Sequence, residues 1–88
     1  MKTQHTPGPW YQGCEEEPKS GDIYAEDGSL IAEAFVNGGQ ETLVANARLI
    51  AAAPDLLEAL KTLVITRSAA KALPDATAAI AKATGDKA

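Results

Sequence analysis

His5 and Cys14 are the one histidine and the one cysteine of the chain, and neither stands in a pattern that catalysis uses. His5 lies near the N-terminus, with no second histidine at helical spacing and no cysteine beside it, so it reads as solvated polar surface rather than as a base or a metal ligand. A single cysteine excludes an intrachain disulfide and a multi-cysteine metal site. Glu15, Glu16 and Glu17 follow it, and their like charge raises a thiol pKa and disfavours a thiolate nucleophile. Three consecutive glutamates in an extended chain point in different directions, which suits a solvated acidic loop better than a cation site. The sequence therefore predicts no enzyme, no metal and no cofactor.

Binding is better supplied. Gly38 and Gly39 precede a helical stretch and could offer backbone amides to a phosphate; no Walker or Rossmann spacing surrounds them, so a plain turn is the competing reading. Arg48 and Arg67 are the two arginines, suited to bidentate anion contacts or to an exposed helix face. Asn46 sits in the apolar stretch from Leu43 to Ile50. If buried it must be paired, either as a structural hydrogen bonder to the sheet or as a reader of a base edge. Trp10 and Tyr11 could stack on a base, although a docked Trp anchoring the core is the simpler role.

The elements that must position these residues belong to one small domain. A chain of 88 residues buries only about 60–65% of its unfolded surface. Much of its 45% apolar content is alanine, which adds little area per residue. Self-association is one way to supply the missing core. A net charge of −4 and scattered basic residues argue against a grip on nucleic-acid backbones, while a pocket with one or two cations could still hold a small anion. No run of apolar residues is long enough for a membrane span, and residues 1–9 lack the apolar stretch of a signal peptide, so a reducing, cytoplasmic setting is expected.

Six of the seven glycines, three of the five prolines and all the aromatics fall in residues 1–40, a strand and turn composition. Asp27-Gly28 between two β-prone runs predicts a hairpin with strands near 21–26 and 29–36. A third strand near 9–13 would complete an antiparallel sheet. Pro7 and Pro9 stiffen the lead-in to Trp10.

Residues 41–84 are helical in pattern, and 85–88 should fray. Leu43, Ala47, Ile50, Leu57 and Val64 make one stripe; Leu49, Ala53, Leu56, Leu60 and Leu63 make another. The fold expected is thus α+β: a three-stranded sheet, a long helix kinked or split at Pro54, and a short last helix over 74–84 anchored by Leu73, Ala76 and Ile80. A three-stranded sheet cannot cover both stripes. Leu43, Ile50, Ala53, Leu56, Leu57, Leu60 and Leu63 are therefore expected at an interface between copies, where Ala51 to Ala53 allow close approach.

Three segments together resemble small accessory proteins of tailed phages and prophages. They are His5-Thr6-Pro7-Gly8-Pro9-Trp10, the frame of Ile23, Asp27, Gly28, Ile31 and Ala32, and the stretch Ala45-Asn46-Ala47-Arg48-Leu49-Ile50-Ala51-Ala52-Ala53-Pro54-Asp55-Leu56-Leu57-Glu58-Ala59-Leu60. The resemblance spans about residues 5–63. It implies a phage protein made in the cytoplasm of the infected host, of a kind that often counters host defences. Three functions are compatible with it: an oligomeric sponge for a nucleotide-derived immune signal, an inhibitor that covers a host nuclease or effector, and a structural or regulatory component without ligand. For the sponge, the ligand contacts would be Trp10, Tyr11, Gly38, Gly39, Asn46 and Arg48.

Overall fold

The computed structural model describes residues 4–36, 38–66 and 69–85; Asn37, Arg67 and the tail at 86–88 lie outside them. Three strands, β1 (Trp10–Gln12), β2 (Asp22–Ala25) and β3 (Leu30–Glu33), precede three helices, α1 (Gln40–Ala51), α2 (Ala53–Thr66) and α3 (Ala69–Thr84). The sheet is antiparallel in the order β1-β2-β3, so the class is α+β as the composition predicts.

The hairpin turns where Asp27-Gly28 requires it. Gly28 has φ +90, a left-handed conformation that a side chain disfavours. The Ala25 amide donates to the Ser29 carbonyl at 2.8 Å, and the Ser29 amide donates to Asp27 Oδ1 at 2.9 Å. That bond holds the Asp27 carboxyl below the ordinary carboxylate range. A depressed pKa adds stability that is present above the unfolded value, about 3.9, and is lost as pH falls through the lower folded value. A carboxyl-carbon NMR titration should accordingly place the Asp27 midpoint below the ordinary value.

The strands are shorter than the pattern suggested. Ile23 pairs with Ala32 and Tyr24 with Leu30, leaving Ile31 as an extra residue in β3, which bends the strand. Pairing ends at Glu33, and Phe35 and Val36 leave the sheet exposed. On the inner face Ile23, wholly enclosed, meets Ala47 and Ala51 of α1 together with Ala34, and Trp10, Ile31, Ala32 and Leu43 close around them.

Of the two outcomes expected at Pro54, a kink or a split, the chain takes the split: α1 and α2 are separated at Ala52. Pro54 is the second residue of α2, where its missing amide leaves no bond unmade, and clash with the Ile50 carbonyl prevents an unbroken run. Ala52 bridges the break: its amide donates to the Arg48 and Leu49 carbonyls, and its carbonyl accepts from the Leu56 amide at 2.9 Å.

The last helix is not short. It begins at Ala69 and carries Pro74 inside it, because the preceding Ala-rich stretch favours helix strongly. Gly85, φ +79, ends it. Its buried anchor is Ala79, whereas Leu73 and Ile80 are mostly exposed, so α3 packs by close approach of alanines rather than by the larger side chains.

The N-terminal strap is fixed at two points. The Trp10 indole N–H donates to the Thr6 carbonyl at 3.2 Å, and Gly8 lies so close to Pro54 that an added Cβ would stand 2.6 Å from the proline Cβ. Neither the proline ring nor the strap can yield without moving backbone. Gly8→Ala is expected to cost about 1–3 kcal/mol, a fall of several degrees in melting temperature. Gly39→Ser, where nothing lies within 4 Å of the added atom, should change stability by less than about 0.5 kcal/mol. Thermal unfolding followed by circular dichroism measures both.

Candidate functional site

Lys19 is placed by the loop between β1 and β2. Gln12 Nε2 donates to the Pro18 and Ser20 carbonyls at 2.9 and 2.7 Å, folding the loop back, and Gln40 Nε2 donates to the Lys19 carbonyl at 3.3 Å. That bond sets Lys19 beside the start of α1. There Gly39 is the N-cap in an extended conformation with no side-chain cap, and Glu41 is the one acidic residue of the first turn, so the amides at the helix end have no capping side chain while the positive end of the dipole is partly offset by one carboxylate. Thr42 and Leu43 return their amides to the Gly39 carbonyl.

Two turns along α1, Arg48 shares an open cavity of about 400 Å³ with Lys19, Gln40, Glu41 and Val44. The guanidinium lies against the backbone at the end of α3: a Cβ on Gly85 would stand 2.7 Å from Arg48 Nη1. The two ion pairs among the described residues are Lys61–Glu58 and Lys82–Asp55, so neither Lys19 nor Arg48 has a carboxylate partner there. The cavity thus presents two cations and one carboxylate, Glu41, along the side of α1 from its first turn to its last, an arrangement that can hold a small anion.

The other predicted contacts lie elsewhere. Trp10 packs on the Ile23 cluster, with His5 edge-on to its ring at 6.4 Å, and neither it nor Tyr11 lines the cavity. Tyr11 carries Lys82 Nζ 5.5 Å above its ring, and Lys82 is bonded to Asp55 Oδ2 at 2.7 Å. Asn46 is exposed and makes no side-chain hydrogen bond among the described residues, so the structural role weighed for it, bonding to the sheet, is not observed. Gly38 and Gly39 stand next to the cavity residues Gln40 and Glu41. Lys19 was missed, since nothing in the sequence marks a lone lysine in a loop as adjacent to a helix twenty residues on.

Of the expected interface residues, Leu43 belongs to the core and Leu56 is half-buried. Ile50, Ala53, Leu57, Leu60 and Leu63 are exposed. Tyr24 donates its hydroxyl to Asp22 Oδ2 at 3.1 Å, and that carboxylate, favouring the protonated phenol, raises the Tyr24 pKa.

His5 lines a second open cavity, of about 450 Å³, with Pro7, Gly8, Pro9, Pro54, Asp55 and Glu58. Two of the three segments that carry the phage resemblance therefore meet in space. Among the described residues no three His, Cys, Asp or Glu groups are gathered to hold a metal ion, and no helix is long and apolar enough to cross a membrane.

A family model described as Salmonella phage P22 protein Y8K6 matches residues 1–87. The chain belongs to this phage protein family. No curated protein and no solved structure matches it. The family covers the strap, the sheet and all three helices, so the C-terminal segment, which the resemblance in sequence left out, is part of the family's domain.

Lys82 joins the end of α3 to the start of α2 and to β1, and the structure predicts energetic coupling between its partners. Asp55→Ala and Lys82→Ala should each destabilise by about 0.5–1.5 kcal/mol, with the double variant little worse than either single one. A double-mutant cycle in urea tests this, and additive losses would show that the contact carries no energy.

Proposed function

We propose that this chain is a non-catalytic phage accessory protein that acts in the infected bacterium by sequestering a small anionic, nucleotide-derived signal of host defence. The observation that carries the reading is the convergence of Lys19 and Arg48 on one cavity along the side of α1. Its size lies within the range of small-molecule sites, roughly 300–1,000 Å³. Lys19 and Arg48 supply charge-assisted donors for phosphate, and the helix end supplies backbone amides. Gln40 and Val44 offer a polar and an apolar wall to the remainder of the ligand. Since Trp10 and Tyr11 lie elsewhere, stacking on an aromatic ring is not part of this site within one protomer.

A second reading, inhibition of a host nuclease or effector, draws on a different feature: the exposed apolar side chains of α2, including Leu60, Val64 and Ile65. Native mass spectrometry of protein made in a bacterial host separates the two. A retained nucleotide mass supports sequestration, and a retained host protein supports inhibition.

Calorimetric titration with a panel of cyclic nucleotides and ADP-ribose derivatives tests the site itself. Arg48→Ala should weaken binding by about 1.5–3 kcal/mol, roughly 10- to 150-fold, and Lys19→Ala should weaken it in the same direction. Asn46→Ala, outside the cavity, should leave affinity unchanged. If no member of the panel binds the wild-type protein, or if Arg48→Ala binds as the wild type does, the reading is wrong.

A further inference from the structure

The outer face of α2 carries more large apolar surface than the chain encloses. Among the described residues Ile23 is the one large side chain that is wholly buried, whereas on α2 Leu60, Val64 and Ile65 are 59, 69 and 78% exposed. With Leu57 and Lys61 they line a groove of about 390 Å³. Lys61 stands in the middle of this surface, its stem among the apolar side chains and its ammonium 3.8 Å from Glu58 one turn back. The two ends of that pair differ sharply: the Lys61 side chain is 27% exposed and that of Glu58 is 69% exposed.

We propose that this face binds a second copy of the chain, with the two α2 helices antiparallel about a two-fold axis, and that Lys61 of each copy pairs with the partner's Glu58. The spacing is self-complementary. Leu57 and Val64 are equidistant from the midpoint between positions 60 and 61, so an axis there sets Leu57 against the partner's Val64 and brings the two Leu60 side chains together. In that register Lys61 and the partner's Glu58 are offset by about 3 Å along the helix, within reach of both side chains. One apolar seam and two cross-pairs of opposite charge follow from one symmetry operation, as an isologous interface requires. A host protein would have to match this arrangement by its own charges, whereas a second copy matches it automatically. The inference is independent of the ligand reading, because no residue of the Lys19 and Arg48 cavity lies on α2.

Charge reversal tests the pairing through mass and not through stability. Sedimentation equilibrium should show a concentration-dependent dimer for the wild-type protein. Glu58→Lys and Lys61→Glu, each folded by circular dichroism, should dimerise at least tenfold more weakly alone, because each places like charges across the axis. Mixed in equal amounts they should form a heterodimer of near wild-type affinity, and the double variant Glu58→Lys/Lys61→Glu should self-associate as the wild type does. A wild-type monomer at every concentration, single variants that dimerise like the wild type, or a mixture that stays monomeric would each overturn the proposal. So would a wild-type monomer that carries a bacterial protein on α2.

Discussion

Close contact between alanine and sheet is the constraint on which the structure rests. Ile23 is enclosed because Ala47 and Ala51 let α1 descend onto β2, and a larger residue at either position would lift the helix away. The same economy recurs between α2 and α3, where Ala59 and Ala79 are the buried residues. Alanine gives close approach and strong helix propensity but little buried area. The larger apolar residues, displaced from these contacts, therefore face outward on α2 and α3. A thin interior and a sticky exterior are two results of one choice of residue type.

The strap and the helix break answer the thinness of that interior. Trp10 supplies the largest ring packed on the Ile23 cluster, and it is held there by its bond to Thr6 and by the seat of Gly8 on Pro54. Pro54 can offer that seat because the chain turns at Ala52 before α2 begins. The Asp55 carboxylate one residue later takes Lys82 from α3. The start of α2 is thus a junction for the strap, β1 and the last helix.

Local chemistry was legible in the sequence and remote adjacency was not. Asp27-Gly28 specifies its turn by the left-handed glycine and the Asp side-chain bond, both within a few residues, and the structure has that hairpin. The α+β class followed from the division of glycine, proline and aromatics from alanine and leucine. Helix boundaries were less legible: Pro74 reads as a first helical residue by local rule, yet the alanines before it extend α3 through it. Leu43 fits the exposed stripe by period alone, but the angle at which α1 meets the sheet turns it inward. In the candidate site, Arg48 and the glycines before α1 could be named from residue type. Lys19 could not, because the bond from Gln40 to its carbonyl is a long-range event with no sequence mark. Trp10 and Tyr11, named for their flat rings, are engaged in packing and in the contact with Lys82.

An acidic chain that binds an anion is less contradictory than it sounds, and the distribution of charge says which anion it suits. At physiological salt, fields between exposed charges fade over about 8 Å, so a small phosphate in the cavity is governed by its immediate neighbours. There Lys19, Arg48 and the end of α1 outweigh the lone carboxylate of Glu41. A long polyanion would extend past these groups. It would meet Glu15, Glu16 and Glu17, exposed in the same loop that delivers Lys19, and among the described residues no basic track continues from the cavity: Lys61 and Lys82 are each paired with a carboxylate, Glu58 and Asp55. On the proposed reading, the net charge of −4 works as discrimination: it leaves the local attraction for a compact, singly bound nucleotide intact and removes the extended attraction on which nucleic-acid binding depends.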